Sequence, residues 1–245
     1  MHRLPATLLC TFALGACVSM RQPADTGAAY FRIAPVHPVS ELLPVALAAT
    51  PPAESGDFKA GDLVELVSLD PGIRLDIRYA TSRNFLGTPL YSQARAFLQR
   101  PAAEALVRVQ RALASDGYGM LVHDAYRPWY VTRLFWDATP ADKHAYVADP
   151  ATGSRHNRGC AVDLTLYDLR SGRAVEMPSL YDEMSERAWP TYAGGDVDAL
   201  ARRDLLRRRM EAEGFSVYET EWWHFDYRDW RSYAIQNVPF EAIRS

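Results

Sequence analysis

From residue 63 onward the apolar residues switch repeatedly between a two-residue and a 3.6-residue period. Leu63-Val64-Glu65-Leu66-Val67 reads as a strand, and Ile73, Leu75, Ile77 and Tyr79, interleaved with Arg74, Asp76 and Arg78, predict a second. Pro101 opens a helix that carries Leu106, Val109 and Leu113 on one face and stops by Gly117. Met120-Leu121-Val122 is a short buried strand leading to Tyr126-Arg127, and Pro128 starts another helix through Trp136. Ala161 to Leu166 alternates as a strand, Leu169 to Arg173 turns around Ser171-Gly172, and Asp196 to Gly214 is the clearest helix of the chain. Phe215 to Tyr218 then leads, as a strand, into Glu221 to Tyr227. Strands and helices in mixed order, with hairpins, predict an α+β fold: a mixed, mainly antiparallel sheet with flanking helices in one domain over residues 58–245.

The first quarter of the chain lacks this periodicity. Arg3 followed by the apolar stretch Leu4 to Ala16 is too short to span a membrane and has the form of a secretory signal, so residues 1–16 are expected to be removed. Leu14-Gly15-Ala16-Cys17 looks like a bacterial lipobox, which would make a lipidated Cys17 the first mature residue; ordinary signal-peptidase cleavage is the alternative. Val18 and Ser19 supply no acidic retention signal, so in a Gram-negative cell the expected address is the periplasmic face of the outer membrane, with the N-terminal lipid as the sole membrane contact. Residues 17–57 are rich in Ala and Pro and read as a tether, with Tyr30 to Val36 and Leu42 to Leu47 apolar enough to pack locally.

Composition narrows the function classes. A 48% hydrophobic content provides for a full core. Net charge is −3, from 27 basic and 30 acidic residues, which gives no cationic footprint for nucleic acid. Arg202-Arg203 and Arg207-Arg208-Arg209 recur at helical spacing and read as a solvated helix face. With Cys10 lost in the signal and Cys17 lipidated, Cys160 is the one free thiol and no intramolecular disulfide forms.

The chemistry sits in two motifs. Ser154-Arg155-His156-Asn157-Arg158-Gly159-Cys160-Ala161-Val162-Asp163 is answered near the C-terminus by Glu221-Trp222-Trp223-His224. His156, Asp163 and His224 form a ligand set of the kind that holds one zinc ion per chain and leaves a fourth position for water, with Glu221 left over to move protons. Neither half is the helical H-E-x-x-H signature, and each half alone is better read as ordinary hydrogen-bonded histidines and solvated acids; the two halves together point to the metal. Cys160 competes with Asp163 as a ligand; on a strand the two face opposite ways, and a small buried residue behind the site is the commoner fate of a free cysteine. The run Trp222-Trp223-His224-Phe225 favours a strand, on which Glu221 and His224 face opposite ways; Glu221 is therefore expected at the strand's mouth or at a bulge.

Together with Asp76-Ile77-Arg78-Tyr79-Ala80-Thr81, Asn84-Phe85, Gly87, Asp124-Ala125-Tyr126-Arg127-Pro128 and Tyr181-Asp182 with Met184 and Glu186-Arg187, these motifs make the chain resemble, over about residues 60 to 230, the zinc-dependent D-alanyl-D-alanine dipeptidases. That group is related to the D,D-carboxypeptidases and shares a fold with the hedgehog signalling domain. The resemblance implies that His156, Asp163 and His224 ligate zinc, that Glu221 is general base and acid, and that Arg127 stabilises the transition state. Ser154 and Asp182 match positions that help hold the substrate's free amino group. Arg127 is otherwise a structural ion pair, and Asp182 otherwise a helix N-cap ahead of Glu183 and Glu186. Tyr181 stands where the family often has Phe, and little is expected from the change. Implied is hydrolysis of D-Ala-D-Ala; the rivals are a D,D- or L,D-carboxypeptidase acting on peptidoglycan stems, and a non-catalytic zinc or cell-wall binding lipoprotein.

Overall fold

The computed structural model describes residues 30–244. In chain order the elements are α1 (Val39–Ala48), β1 (Leu63–Glu65), the one-turn α2 (Leu66–Leu69), β2 (Arg74–Leu75), β3 (Phe97–Gln99), α3 (Arg100–Ser115), β4 (Tyr118–Asp124), α4 (Trp129–Ala138), β5 (Ala161–Asp168), α5 (Val197–Ala212), β6 (Phe215–Tyr218) and β7 (Glu221–Tyr227). The main sheet has the order β2-β4-β5-β7-β6; only β2 and β4 run parallel, and β1 pairs with β3 in a separate two-stranded sheet. The architecture is α+β with a mainly antiparallel sheet, as the alternation of patterns predicts.

The long elements follow local rules. In α3, Leu106, Val109 and Leu113 are fully buried on the face the sequence marks. The N-terminus of α5 is capped by Asp196, whose carboxylate accepts from the amide of Ala199. The central strand β5 is buried over seven successive residues, Ala161 to Tyr167, because its neighbours flank it on both sides and the helices α3 and α5 pack against the sheet.

Short elements depart from the pattern. The strand expected over Ile73 to Tyr79 is confined to Arg74–Leu75 and gives way to a 3₁₀ turn at Arg78–Ala80. Asp76 accepts from both Arg78 and Arg83, which folds the chain back and delivers Tyr79 into the interior. Leu66 and Val67 likewise leave the first strand for a helical turn, which sinks Leu66 completely.

The tether is the larger correction. Of residues 17–57, those from 30 on lie against the domain: α1 packs on α4 with Ala46 fully buried, the amide of Ile33 donates to Phe85 O at 2.9 Å, and that of Val36 donates to Ala138 O at 2.9 Å. Glu54 then accepts from Arg158 and from the amide of Ile235. The expected signal sequence and Cys17 lie outside the described residues. Among the described residues no helix is long and apolar enough to cross a membrane.

Candidate active site

Three adjacent strands bring the site together. Asp163 on β5 stands opposite His224 on β7 and opposite Asp124 on β4, so register alone lines up the three side chains. His156 comes from a 3₁₀ turn, His156–Arg158, that ends at Gly159 in the left-handed region at φ 68°. A Cβ at Gly159 would sit 2.5 Å from Leu63 Cδ2 and push that side chain aside, while the positive φ is what calls for glycine. Asn157 pins that turn: its amide donates to Arg127 O and to Thr132 Oγ1 at 2.9 Å each, while its carbonyl accepts from the Ser154 amide at 2.7 Å.

Three acceptor atoms converge at its centre. His156 Nε2 lies 3.2 Å from Asp163 Oδ1, His224 Nδ1 lies 3.0 Å from the same oxygen, and the two ring nitrogens are 3.1 Å apart. The other nitrogen of each ring faces an acceptor: His156 Nδ1 donates to Ala125 O at 2.7 Å and His224 Nε2 to Asp226 Oδ1 at 2.9 Å. The protons are thus committed outward, and two lone pairs and an anionic oxygen point inward. Asp163 Oδ1 is buried and accepts no hydrogen bond. A tetrahedral ion with bonds near 2.0–2.1 Å would need ligand atoms about 3.3 Å apart, so the trio fits a zinc-sized cation and each imidazole has its orienting partner. Burial works against charge on Asp163, but the two imidazoles outweigh it and hold the carboxyl well below its usual range.

Glu221 resolves its strand parity in both expected ways. It is the first residue of β7, and β6 pairs Val217 with Phe225 but Tyr218 with Glu221, so Trp222 to His224 bulge away from β6. The bulge lets Glu221 Oε2 lie 3.7 Å from His224 Nδ1, facing the trio. Burial pushes the Glu221 carboxyl up to about 7, against the pull of His224 and with the push of Asp163. A carboxyl poised there takes and returns protons near neutrality.

Arg127 lines the same cleft. Its Nε and Nη2 donate to Asp124 Oδ2 at 2.9 and 2.8 Å, and Nη2 lies 3.9 Å from Asp163 Oδ2. It therefore has an ion-pair partner and also faces the reaction space, so the two readings of this arginine are not exclusive. An extra residue in β4, His123, shifts the register between Val122 and Asp124 and aims Asp124 at the guanidinium.

Ser154 and Asp182 occupy the cleft wall. Ser154 Oγ accepts from the His156 amide at 3.2 Å. Asp182 is not an N-cap; Ser185 caps the following 3₁₀ turn. Instead Asp182 sits at φ 60°, a left-handed conformation uncommon outside glycine, with its carboxylate turned to Tyr79 Oη at 3.0 and 3.1 Å. Burial, with Asp163 and then Glu221 adding repulsion, drives its carboxyl well above the usual range.

Cys160 lies fully buried outside the trio, and burial raises its thiol to about 12, so it is packing and not a ligand. The sequence reading misses Asp124 and Asp226 as orienting partners, and Tyr79 as the contact of Asp182. Of these only Asp226 leaves a signal: it lies two residues after His224 on one strand face. Tyr181, of which little was expected, is buried in the site with its hydroxyl 2.8 Å from Asp163 Oδ2.

The sequence matches the family model described as D-ala-D-ala dipeptidase over residues 59–242. It is 34% identical over 184 residues to the D-alanyl-D-alanine dipeptidase of Escherichia coli (strain K12), covering 75% of this chain and 94% of that protein. It is 37% identical over 176 residues to the D-alanyl-D-alanine dipeptidase of Enterococcus faecium, covering 64% of this chain and 87% of that one. Among solved structures, that of the LdcB LD-carboxypeptidase superposes with a TM-score of 0.41 at 16% identity, over 81% of this chain and 87% of the other.

Proposed function

This chain belongs to the D-ala-D-ala dipeptidase family of metallopeptidases, and from that premise we propose that it hydrolyses the free dipeptide D-Ala-D-Ala to two molecules of D-alanine. The residue that carries the reading is Asp182. It is a partly buried carboxylate in a strained backbone conformation on the cleft wall, with a tyrosine hydroxyl as its hydrogen-bond partner, and burial first, then the repulsion of Asp163 and Glu221, works against its negative charge. Such a group calls for a cation, and the free ammonium of a dipeptide supplies one a single residue from the scissile bond. A peptidase that trims longer stems cannot require that ammonium.

His156, Asp163 and His224 would hold one zinc ion. Bound there, it would supply Lewis acidity and bring a water toward ionisation near neutral pH. Glu221 takes a proton from the attacking water as its oxygen bonds to the peptide carbonyl carbon. Arg127, fixed by Asp124, presents donors to the negative charge that develops on the carbonyl oxygen. Glu221 then passes the proton to the leaving nitrogen as the C–N bond breaks. Asp182, with Ser154, holds the ammonium and sets the register of the scissile bond.

The test is release of amine from D-Ala-D-Ala, N-acetyl-D-Ala-D-Ala and L-Ala-L-Ala by zinc-loaded protein, with and without chelator. Chelator-sensitive cleavage of the free D,D-dipeptide alone is expected. Equal or better cleavage of the acetylated peptide would replace this reading with a carboxypeptidase, and no cleavage despite bound zinc with a binding protein. We further propose export and lipid anchoring at Cys17, which rest on the leader sequence alone; loss of membrane association and of metabolic lipid label in Cys17→Ser is the expected result.

A further inference from the structure

The hydroxyl of Tyr181 begins a short chain of contacts that the mechanism above does not use. It lies 2.8 Å from Asp163 Oδ2 and 3.3 Å from Tyr79 Oη, and Tyr79 Oη lies 3.0 and 3.1 Å from the two oxygens of Asp182. The chain thus has three links and two hydroxyl protons. Of its two contacts the Tyr181 hydroxyl makes the shorter to Asp163 Oδ2, to which it donates, and Tyr79 Oη faces Asp182. The middle contact is the longest of the three.

The Tyr181 ring cannot easily turn away. It is 8% exposed, tilted against His123 at 4.8 Å and set edge-on to Trp223 at 5.5 Å. The hydroxyl is therefore a fixed donor to a carboxylate whose other near donor, Arg127 Nη2, stands off at 3.9 Å. Asp163 is left with one oxygen engaged and the other, Oδ1, turned to the two imidazoles without a hydrogen bond.

We propose that Tyr181 is a positioning residue: its hydroxyl holds Oδ2 of Asp163 so that Oδ1 alone faces the metal position. This rests on the ligand assignment made above and is independent of the substrate. A phenylalanine ring would fill the same space yet leave Oδ2 free to swing toward the metal or to sit buried without its donor.

The test is Tyr181→Phe, which deletes one oxygen atom and preserves the packing, read by zinc affinity in competition with a chromogenic chelator. Orienting partners of metal ligands are worth about 10- to 100-fold in affinity, so about a 10-fold weaker zinc dissociation constant is expected, together with altered visible bands in the cobalt(II)-loaded variant. Thermal unfolding of both zinc-free proteins, at similar midpoints, shows that the variant folds. A variant that binds zinc within twofold of the unaltered protein and keeps its cobalt spectrum would overturn the proposal, as would an unaltered protein that binds no zinc. A protein that binds zinc tightly but leaves D-Ala-D-Ala intact would sink the substrate reading and not this one.

Discussion

In the proposed mechanism Glu221 and Arg127 act on the same substrate carbonyl but through different physics, and single substitutions separate them. Glu221→Gln keeps the shape and the three ligand atoms but removes the proton acceptor. Turnover is expected to fall below detection while zinc still binds; retained turnover would exclude Glu221 as the base. Arg127→Lys keeps a charge but loses the two-pronged hold of Asp124 and the planar pair of donors. About a 100-fold loss in kcat with little change in KM is expected, the magnitude of removing one transition-state donor. Against the Tyr181 ring, at 4.8 Å, His123 is buried and held down to about 4, by burial first and by Arg78 second, with Asp76 opposing. Below about pH 6.5 the unfolded chain protonates this imidazole while the folded protein refuses the proton until about pH 4. Stability is therefore lost as pH falls through that window, by up to about 1.4 kcal/mol per pH unit. His123→Gln should have a shallower slope of unfolding free energy between pH 6 and 5 than the unaltered protein, and parallel slopes would assign the acid sensitivity elsewhere. Residue types with distinctive chemistry, the two histidines, Asp163, Glu221 and Arg127, were legible from the sequence. Their orienting partners were not, because Asp124 and Tyr181 acquire their roles only when β4, β5 and the loop before α5 meet.

Periodicity identified the long elements and failed where a few hydrogen bonds outweigh it. The alternation of Ile73 to Tyr79 is genuine, but the two arginines drawn onto Asp76 turn the chain before a strand can extend. Counting prolines misled in the same way over residues 30–57. Pro44 lies inside α1, where it removes one helical hydrogen bond, yet the helix persists because Val39 and Ala46 are buried and Leu42 and Leu43 pack against the core. That segment is therefore part of the folded domain and not a spacer. A form beginning at residue 58 would expose the α4 surface that α1 covers and leave Arg158 without Glu54. Compared with a form beginning at residue 30, its melting temperature should be lower by roughly 5–10 °C, since each kcal/mol moves a domain of this size by about 2–4 °C. Equal melting temperatures would restore the tether.

At the scale of the whole molecule, the candidate metal position is where the three central strands and the loop before β5 depend on one another. Asp124, Asp163 and His224 stand in register across β4, β5 and β7, and His156 is tied to the first of these through Ala125 O. Without a cation, the centre of the sheet holds an anionic oxygen that accepts no hydrogen bond and two imidazole lone pairs, all within about 3 Å of one another. A cation there offsets that repulsion in the folded state only, because the unfolded chain has no preformed site. By mass action, free zinc at 100 times its dissociation constant stabilises the fold by about 2.7 kcal/mol. Chelation should therefore lower the melting temperature by roughly 5–10 °C and abolish turnover together, with both restored by zinc. In His224→Ala, which removes one ligand and the hold on Asp226, the melting temperature should no longer respond to zinc. A protein whose melting temperature ignores zinc while its activity requires it would mean that the ion binds too weakly to act as a structural tie. The trio would then serve catalysis alone, and the sheet would have to tolerate its buried lone pairs unaided.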